Sequence, residues 1–171
     1  MKNMQCPENT CFFTGHRTIP KSKISEIARR TREQIYLHIA RGYEYFVCGG
    51  AVGFDTIAAV QVARVKAGGA KISLILALPC RDQTAMWRNV EMLSLYQRIK
   101  GTADEIIYVN DLFFDGCMKE RNQFMVDLSS ACIAYFNERN NGGTAQTVRM
   151  AKKRDITVAN IYSGGEDGHE E

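Results

Sequence analysis

Long apolar segments are absent from this chain of 171 residues. The longest strongly apolar run, residues 72–79, is far shorter than the roughly 20 residues that a membrane-spanning helix needs. The first residues lack the apolar core of a signal peptide. A composition with 45% hydrophobic and 24% charged residues also excludes collagen-like, coiled-coil and disordered classes. The sequence therefore predicts a cytoplasmic protein that makes no use of a membrane.

Metal-binding spacings are missing as well. The chain has six cysteines, but none forms a Cys-x-x-Cys pair or a Cys/His cluster with the spacing of zinc ligands. Most of them fall at predicted strand positions, where a small apolar side chain packs well. We expect reduced structural thiols, with redox sensing left open as the alternative, and we expect no metal and no cofactor.

The formal net charge of +3 conceals an uneven distribution. Residues 163–171 carry four carboxylate side chains and no lysine or arginine, whereas residues 1–162 hold 22 cationic and 15 anionic side chains. A glycine-rich, acidic segment without periodicity cannot bury enough apolar surface to fold. We therefore predict a folded domain over residues 1–162 and a disordered acidic tail over residues 163–171.

Short apolar runs alternate along the chain with longer segments whose apolar residues recur every three or four positions. This alternation is typical of strand–helix–strand units, and strands that are apolar throughout indicate a parallel sheet covered on both faces. The sequence thus predicts a single doubly wound, Rossmann-like α/β domain with a mostly parallel sheet and helices on both faces. We expect strands near residues 11–14, 45–48, 72–78, 105–109, 132–136 and 157–161, and helices around residues 24–35, 58–65, 84–100, 117–128 and 144–154.

Unusual loops follow three of these strands, and a doubly wound sheet binds its ligand at the carboxyl ends of its strands. The first loop contains Thr14, Gly15, His16 and Arg17. Glycine lets the backbone approach a ligand closely, and an arginine can form a forked hydrogen bond with phosphate. A surface or capping role for His16 and a solvated Arg17 remain open.

The second loop, CGGAVGFD, leads from the second strand into a helix. Gly49, Gly50 and Gly53 there would expose backbone N–H groups to an anion, although they match neither the dinucleotide fingerprint nor the P-loop. A tight turn without a ligand is the alternative. Asp55 suits either a helix cap or a ribose hydroxyl.

The third loop contains Gly142, Gly143 and Thr144 and opens the last helix, where the threonine hydroxyl could cap the helix or bind a phosphate oxygen. Arg121 and Asn122 lie in the first half of the preceding helix, beside an apolar stripe. Arg121 is either solvated or faces an anion at the pocket wall. Several such segments in one domain favour a small anionic ligand.

The segments TGHR, CGGAVGFDTIAA, MKERNQFMV and NNGGTAQT, in this order, resemble a Rossmann-like superfamily. This is the SLOG superfamily, which groups the Lonely Guy phosphoribohydrolases, DNA-processing protein A and the YpsA-like proteins, and the similarity to the YpsA-like group is greatest. It covers residues 10–162. The resemblance implies a doubly wound fold that binds a nucleotide-like small molecule, and it leaves a homo-oligomer open. The ligand-binding residues expected from the loops and the resemblance together are Thr14, Gly15, His16, Arg17, Gly49, Gly50, Gly53, Asp55, Arg121, Asn122, Gly142, Gly143 and Thr144.

One departure from the Lonely Guy pattern concerns catalysis. Thr147 stands where those hydrolases have a carboxylate three residues after the turn threonine. By analogy with glycoside hydrolysis, a nearby carboxylate stabilises the oxocarbenium-like state of N-glycosidic cleavage. We therefore expect binding or sensing of a phosphorylated, nucleotide-derived ligand. The first alternative is an N-glycosidic hydrolase or transferase that acts on nucleoside monophosphates, with Asp55 or Glu120 as its catalytic carboxylate.

Two further functions remain open at this point. Single-stranded nucleic-acid binding would suit the basic body of the domain, but the tyrosines form no evident surface stripe with the basic residues. The other is an adaptor whose pocket is vestigial.

Overall fold

Strands and helices alternate strictly in the computed structural model, which describes residues 7–139 and 141–164. The strands are β1 (Thr10–Gly15), β2 (Tyr45–Cys48), β3 (Ser73–Leu78), β4 (Glu105–Tyr108), β5 (Ala131–Tyr135) and β6 (Thr157–Asn160). The α-helices are α1 (Ile24–Ala40), α2 (Phe54–Ala67), α3 (Val90–Thr102), α4 (Cys117–Asp127) and α5 (Gly142–Lys153). The predicted alternation is confirmed, and each predicted strand is present.

The strands form one six-stranded sheet in the order β4, β3, β2, β1, β5, β6, with every neighbouring pair parallel. The chain therefore moves outward from β1 to β4 and then returns to place β5 on the other side of β1. The strand order reverses between β1 and β5, and a doubly wound sheet opens a crevice at such a point.

Helices cover both faces of the sheet, as the apolar strands require. Alternate side chains of β1 and β2 point to opposite faces: Phe13 and Phe46 belong to the cluster beneath α1, α2 and α3, whereas Phe12 and Val47 belong to the cluster beneath α4 and α5. All four side chains are fully buried. The predicted doubly wound α/β domain is thus confirmed.

Three helices begin elsewhere than the sequence pattern predicts, and the first of these is α2, which begins at Phe54, before the apolar stripe that starts at Ala58. Helix α3 begins at Val90 rather than Thr84, because the Asn89 side chain caps it by accepting a hydrogen bond of 3.1 Å from the backbone N–H of Met92. Helix α5 begins at Gly142, two residues before Thr144. These expected helix starts are therefore corrected by two to six residues.

The cysteines that the structure describes are buried and form no disulfide among themselves. Burial raises the pKa of the Cys11, Cys48 and Cys132 thiols well above the ordinary value, so these thiols are poor nucleophiles. Residues 165–171, most of the predicted acidic tail, lie outside the described residues, and so does Cys6.

Within residues 7–139 and 141–164, no helix combines the length and the hydropathy that crossing a bilayer requires.

Candidate functional site

A cavity of about 240 Å³ lies beyond the carboxyl ends of the strands, next to the crevice between β1 and β5. Four chain segments wall it: the loop after β1, the start of α2 with the loop before it, one face of α4, and the first turn of α5. The residues of the sequence-predicted set that line it are Thr14, Gly15, His16, Arg17, Asp55, Arg121, Asn122, Gly143 and Thr144.

Gly15 and Gly53 let the β1 loop pack directly on the start of α2. A Cβ atom at Gly15 would lie 2.4 Å from the Phe54 ring, and one at Gly53 would lie 2.2 Å from the carbonyl oxygen of Arg17. Gly53 also has a φ of +83°, a conformation that side chains disfavour. The Phe54 N–H then donates a 3.1 Å hydrogen bond to the His16 carbonyl, which fixes the two segments together.

Gly49 makes room for the charged centre of the site. A Cβ atom there would lie 2.5 Å from Nη1 of Arg121 and 2.8 Å from Oδ2 of Asp55. The Arg121 guanidinium donates to the Gly49 carbonyl oxygen, and its Nε donates a 2.8 Å hydrogen bond to Oδ1 of Asn122. The glycine therefore acts by its small size and its carbonyl group.

Asp55 and Arg121 are both buried, at 7% and 3% exposure, and they perturb each other. Burial raises the pKa of Asp55, while the positive charge of Arg121 and an N–H group from Ala51 at 3.3 Å oppose that rise. Burial likewise lowers the pKa of Arg121, and the Asp55 charge opposes that change. The two buried side chains of opposite charge thus influence each other's pKa without forming a direct ion pair.

The His16 ring ties the β1 loop to the segment after β5. Its Nε2 accepts a 3.0 Å hydrogen bond from the backbone N–H of Asn137, so a neutral ring carries its proton on Nδ1. The backbone N–H of His16 donates a 3.2 Å hydrogen bond to the backbone carbonyl of Tyr135. Both sides of the crevice are therefore linked directly.

The first turn of α5 faces the cavity through Gly143 and Thr144. This turn contains no acidic residue, so the partial positive charge of the helix N-terminus is not neutralised locally. Thr147, which stands at the position of the Lonely Guy carboxylate, is fully buried and donates a 2.8 Å hydrogen bond to the Gly143 carbonyl.

Several predicted residues lie outside the cavity lining. Gly49 lies behind Arg121; Gly50 packs near Leu78, where a Cβ atom would come within 2.4 Å of that side chain; and Gly53 packs on Arg17. Gly142, at the start of α5, is also absent from the lining. Glu120 is exposed and accepts a 3.2 Å hydrogen bond from Asn110, so the structure does not bring this carboxylate to the cavity.

Four lining residues were missing from the predicted set: Phe13, Ala51, Met118 and Met125. The two methionines could have been found from spacing, because residues 118, 121, 122 and 125 occupy one face of a helix. Among the described residues, no group of histidine, cysteine, aspartate or glutamate side chains is arranged to hold a metal ion.

Solved structures of DNA processing protein A share this fold. The protein from Streptococcus pneumoniae superposes with a TM-score of 0.64 at 15% identity over 93% of this chain, and the one from Helicobacter pylori with a TM-score of 0.58 at 18% identity over 91%. The chain spans 52% of the length of the first protein and 66% of the second.

Similar sequences are found among bacterial proteins. An uncharacterised SPbeta prophage-derived protein of Bacillus subtilis, YoqJ, is 32% identical over 120 residues, which are 63% of this chain and 69% of that protein. A UPF0398 protein of Halalkalibacterium halodurans is 25% identical over 133 residues, 77% of this chain and 70% of that protein. The sequence model of the YpsA family, described as the YspA SLOG family, matches residues 12–162. The chain therefore belongs to the YpsA family of SLOG proteins.

Proposed function

We propose that the cavity binds the phosphate group of a nucleotide or a nucleotide-derived small molecule. The observation that carries this proposal is the convergence of Arg17, Arg121 and the N-terminus of α5 on one cavity, with Asp55 as the acidic residue of the lining. These side chains sum to a charge of +1 with Asp55 ionised, and the helix adds roughly half a positive charge.

The size of the cavity supports a small ligand. Its volume of about 240 Å³ is below the roughly 300 Å³ at which most ligand pockets begin. A mononucleotide or a ribose phosphate fits this scale better than a dinucleotide. Arg17 is exposed at the cavity, so we assign to it the first contact with the anion.

Nucleotide chemistry is also what the structural neighbours suggest. The Helicobacter protein is described as having a unique single-stranded DNA binding mode, and single-stranded DNA presents the same nucleotide phosphates. Binding of bases by stacking needs accessible aromatic faces. Phe13 in the lining is fully buried, and the His16 ring is held by Asn137. A free nucleotide therefore suits this cavity better than a strand, and single-stranded DNA is the second candidate.

The positions of the carboxylates favour binding without turnover over hydrolysis. Thr147 is bonded to its own helix, and Glu120 lies outside the lining, which leaves Asp55 as the acidic group. The Asp55 oxygen already accepts the Ala51 N–H. A hydrolase would have to use this one buried carboxylate.

Calorimetric titration with AMP, ribose 5-phosphate, adenosine and a twelve-nucleotide oligo-dT tests the proposal. We expect AMP to bind and adenosine, which lacks phosphate, to bind at least about tenfold more weakly, because a hydrogen bond to a charged group contributes about 1.5–3 kcal/mol. Arg17→Ala should weaken AMP binding by a similar factor. The matched variant Arg98→Ala changes an exposed arginine on α3 and should leave it unchanged.

Chromatography of the same mixtures distinguishes binding from catalysis. No release of adenine over hours is expected. Release that disappears in Asp55→Asn would establish the hydrolase instead. Tight binding of the oligonucleotide with no binding of AMP would favour the nucleic-acid function, and the absence of binding by every phosphate compound would refute the site.

A further inference from the structure

A second concave surface shares Arg17 with the cavity. This α1–α2 groove is open, has a volume of about 830 Å³, and runs between one face of α1 and one face of α2 with α3 at its side. Its floor is apolar and includes Ile57, Val60 and Leu95. Ile24 on its edge is 42% exposed, an unusual position for a large apolar side chain.

Every charged side chain that lines the groove is cationic. Arg17, Lys21, Arg32 and Arg64 are present, and no aspartate or glutamate occurs in the lining. None of the four forms an ion pair with another described residue. An occupant that neutralises these charges must therefore be acidic and must also carry apolar groups for the floor.

The stretches of the two helices that line the groove indicate how long this occupant is. They cover residues 24–32 of α1 and residues 56–64 of α2, which corresponds to about 12 Å along each helix axis. Arg32 and Arg64 end these stretches, and Lys21 lies just before α1. Positive charge thus accompanies the apolar floor for about two helical turns. A small amphiphile with one head group would use only one end of such a groove.

The residues of the groove floor also indicate which class of macromolecule it binds. Its side chains are aliphatic, and no aromatic residue occurs in the groove lining, so bases would find no stacking surface there. Aliphatic floors with charged edges are typical of grooves that accept an amphipathic helix. A helix of two to three turns, with apolar residues on one face and carboxylates beside them, matches both properties.

We propose that the α1–α2 groove is a docking site for an acidic amphipathic helix of a partner protein. Aliphatic side chains of the partner fill the floor, and its flanking glutamates or aspartates pair with Lys21, Arg32 and Arg64. Arg32 is already oriented for this role, because its Nη1 donates a 2.9 Å hydrogen bond to Gln61 in the lining.

Fluorescence anisotropy with a labelled synthetic peptide tests the proposal. The probe is a helical peptide with leucines every three or four positions and glutamates elsewhere. One control peptide has the same composition with its leucines distributed around the helix, and a second has lysines in place of the glutamates. We expect the full-length protein to bind the probe about tenfold more tightly than either control.

Charge reversal of the groove provides the matched variants. Lys21→Glu combined with Arg64→Glu should weaken probe binding about tenfold, because both side chains are exposed and free of ion pairs within the described residues. Lys152→Glu, on the exposed surface of α5 across the sheet, should change it less than about twofold. Circular dichroism of each variant verifies its fold.

The outcomes separate the possible occupants. The proposal is overturned if the probe does not bind at about millimolar concentration, if the lysine peptide binds equally well, or if charge reversal has no effect. Displacement of the probe by oligo-dT with higher affinity would assign the groove to nucleic acid. A dimer in sedimentation that the probe dissociates would assign it to a second copy of the chain.

Discussion

Arg121→Met should lower the free energy of unfolding by about 3–5 kcal/mol, because it removes a hydrogen bond from a charged donor, leaves a buried carbonyl unpaired and takes a cation away from a buried carboxylate. The Arg121 guanidinium is 3% exposed and donates to the Gly49 carbonyl, so the substitution leaves that carbonyl without its charged donor. It also leaves Asp55, at 7% exposure, without the cation that opposes the rise of its pKa. For a domain of this size we expect the melting temperature to fall by about 6–20 °C.

Urea denaturation followed by circular dichroism measures this loss. The matched variant is Arg154→Met, which removes an exposed ion pair with Asp127 and should cost less than about 1 kcal/mol. Adding Asp55→Asn to Arg121→Met should restore much of the lost stability, since no uncompensated charge then remains buried. The reasoning is refuted if Arg121→Met costs no more than Arg154→Met, or if the second substitution deepens the loss.

The same variants have a defined dependence on pH. Burial raises the pKa of Asp55 above its ordinary value of 3.8, so the folded state holds this proton more tightly than the unfolded state. The stability linked to Asp55 is therefore greatest below pH 3.8 and declines as the pH rises through the folded pKa. Without Arg121 the decline should extend to higher pH, and the advantage of the double variant over Arg121→Met should grow over that range.

Three other substitutions test separate parts of the structure. Gly53→Ala places a Cβ atom 2.2 Å from the Arg17 carbonyl oxygen and should lower the free energy of unfolding by about 2–4 kcal/mol. Gly69 also has a positive φ but has open space around it, so Gly69→Ala should cost only about 1–2 kcal/mol. Equal costs in urea denaturation would contradict this difference. A Cβ atom at Gly143 would have no neighbour within 4 Å, so Gly143→Asp should preserve the melting temperature. Its negative charge at the start of α5 should reduce AMP affinity about tenfold in calorimetry, and unchanged affinity would remove α5 from the site. Burial lowers the pKa of His38 from 6.5, so the stability of the wild-type protein should fall as the pH drops below that value. His38→Gln should reduce this fall. Parallel curves of stability against pH for the two proteins would contradict the assignment to His38.

The alternation of strands and helices could be predicted because buried parallel strands must be apolar on both faces. The grouping of the β1 loop with the α5 turn also follows from the sequence, since loops after parallel strands meet at one edge of the sheet. The first residues of the helices are harder to predict from the sequence. The apolar spacing that predicts a helix from residue 84 does not show that α3 begins only after Asn89, although asparagine is a favoured N-cap residue.

The partners of the glycines and of Arg121 could not be predicted. A sequence indicates that glycine tolerates a positive φ, but not which atom occupies the place of its missing Cβ. Arg121 donates to a carbonyl 72 residues earlier in the chain, a contact that exists only once the sheet has formed. The position of Glu120 could have been foreseen, because residues 118, 121, 122 and 125 share one face of α4 and position 120 does not belong to that series.

Arg17 borders two spaces, the cavity beside α5 and the groove between α1 and α2. Its backbone is fixed against Gly53, whereas its side chain is exposed. A phosphate in the cavity and an acidic occupant of the groove would share the one positive charge of Arg17, and the two anions would repel each other. If both spaces are used as proposed, the two ligands must weaken each other, and thermodynamic reciprocity requires the factor to be the same in both directions. Binding of the small ligand in the cavity would then promote release of the partner protein from the groove, and Arg17 would couple the two events.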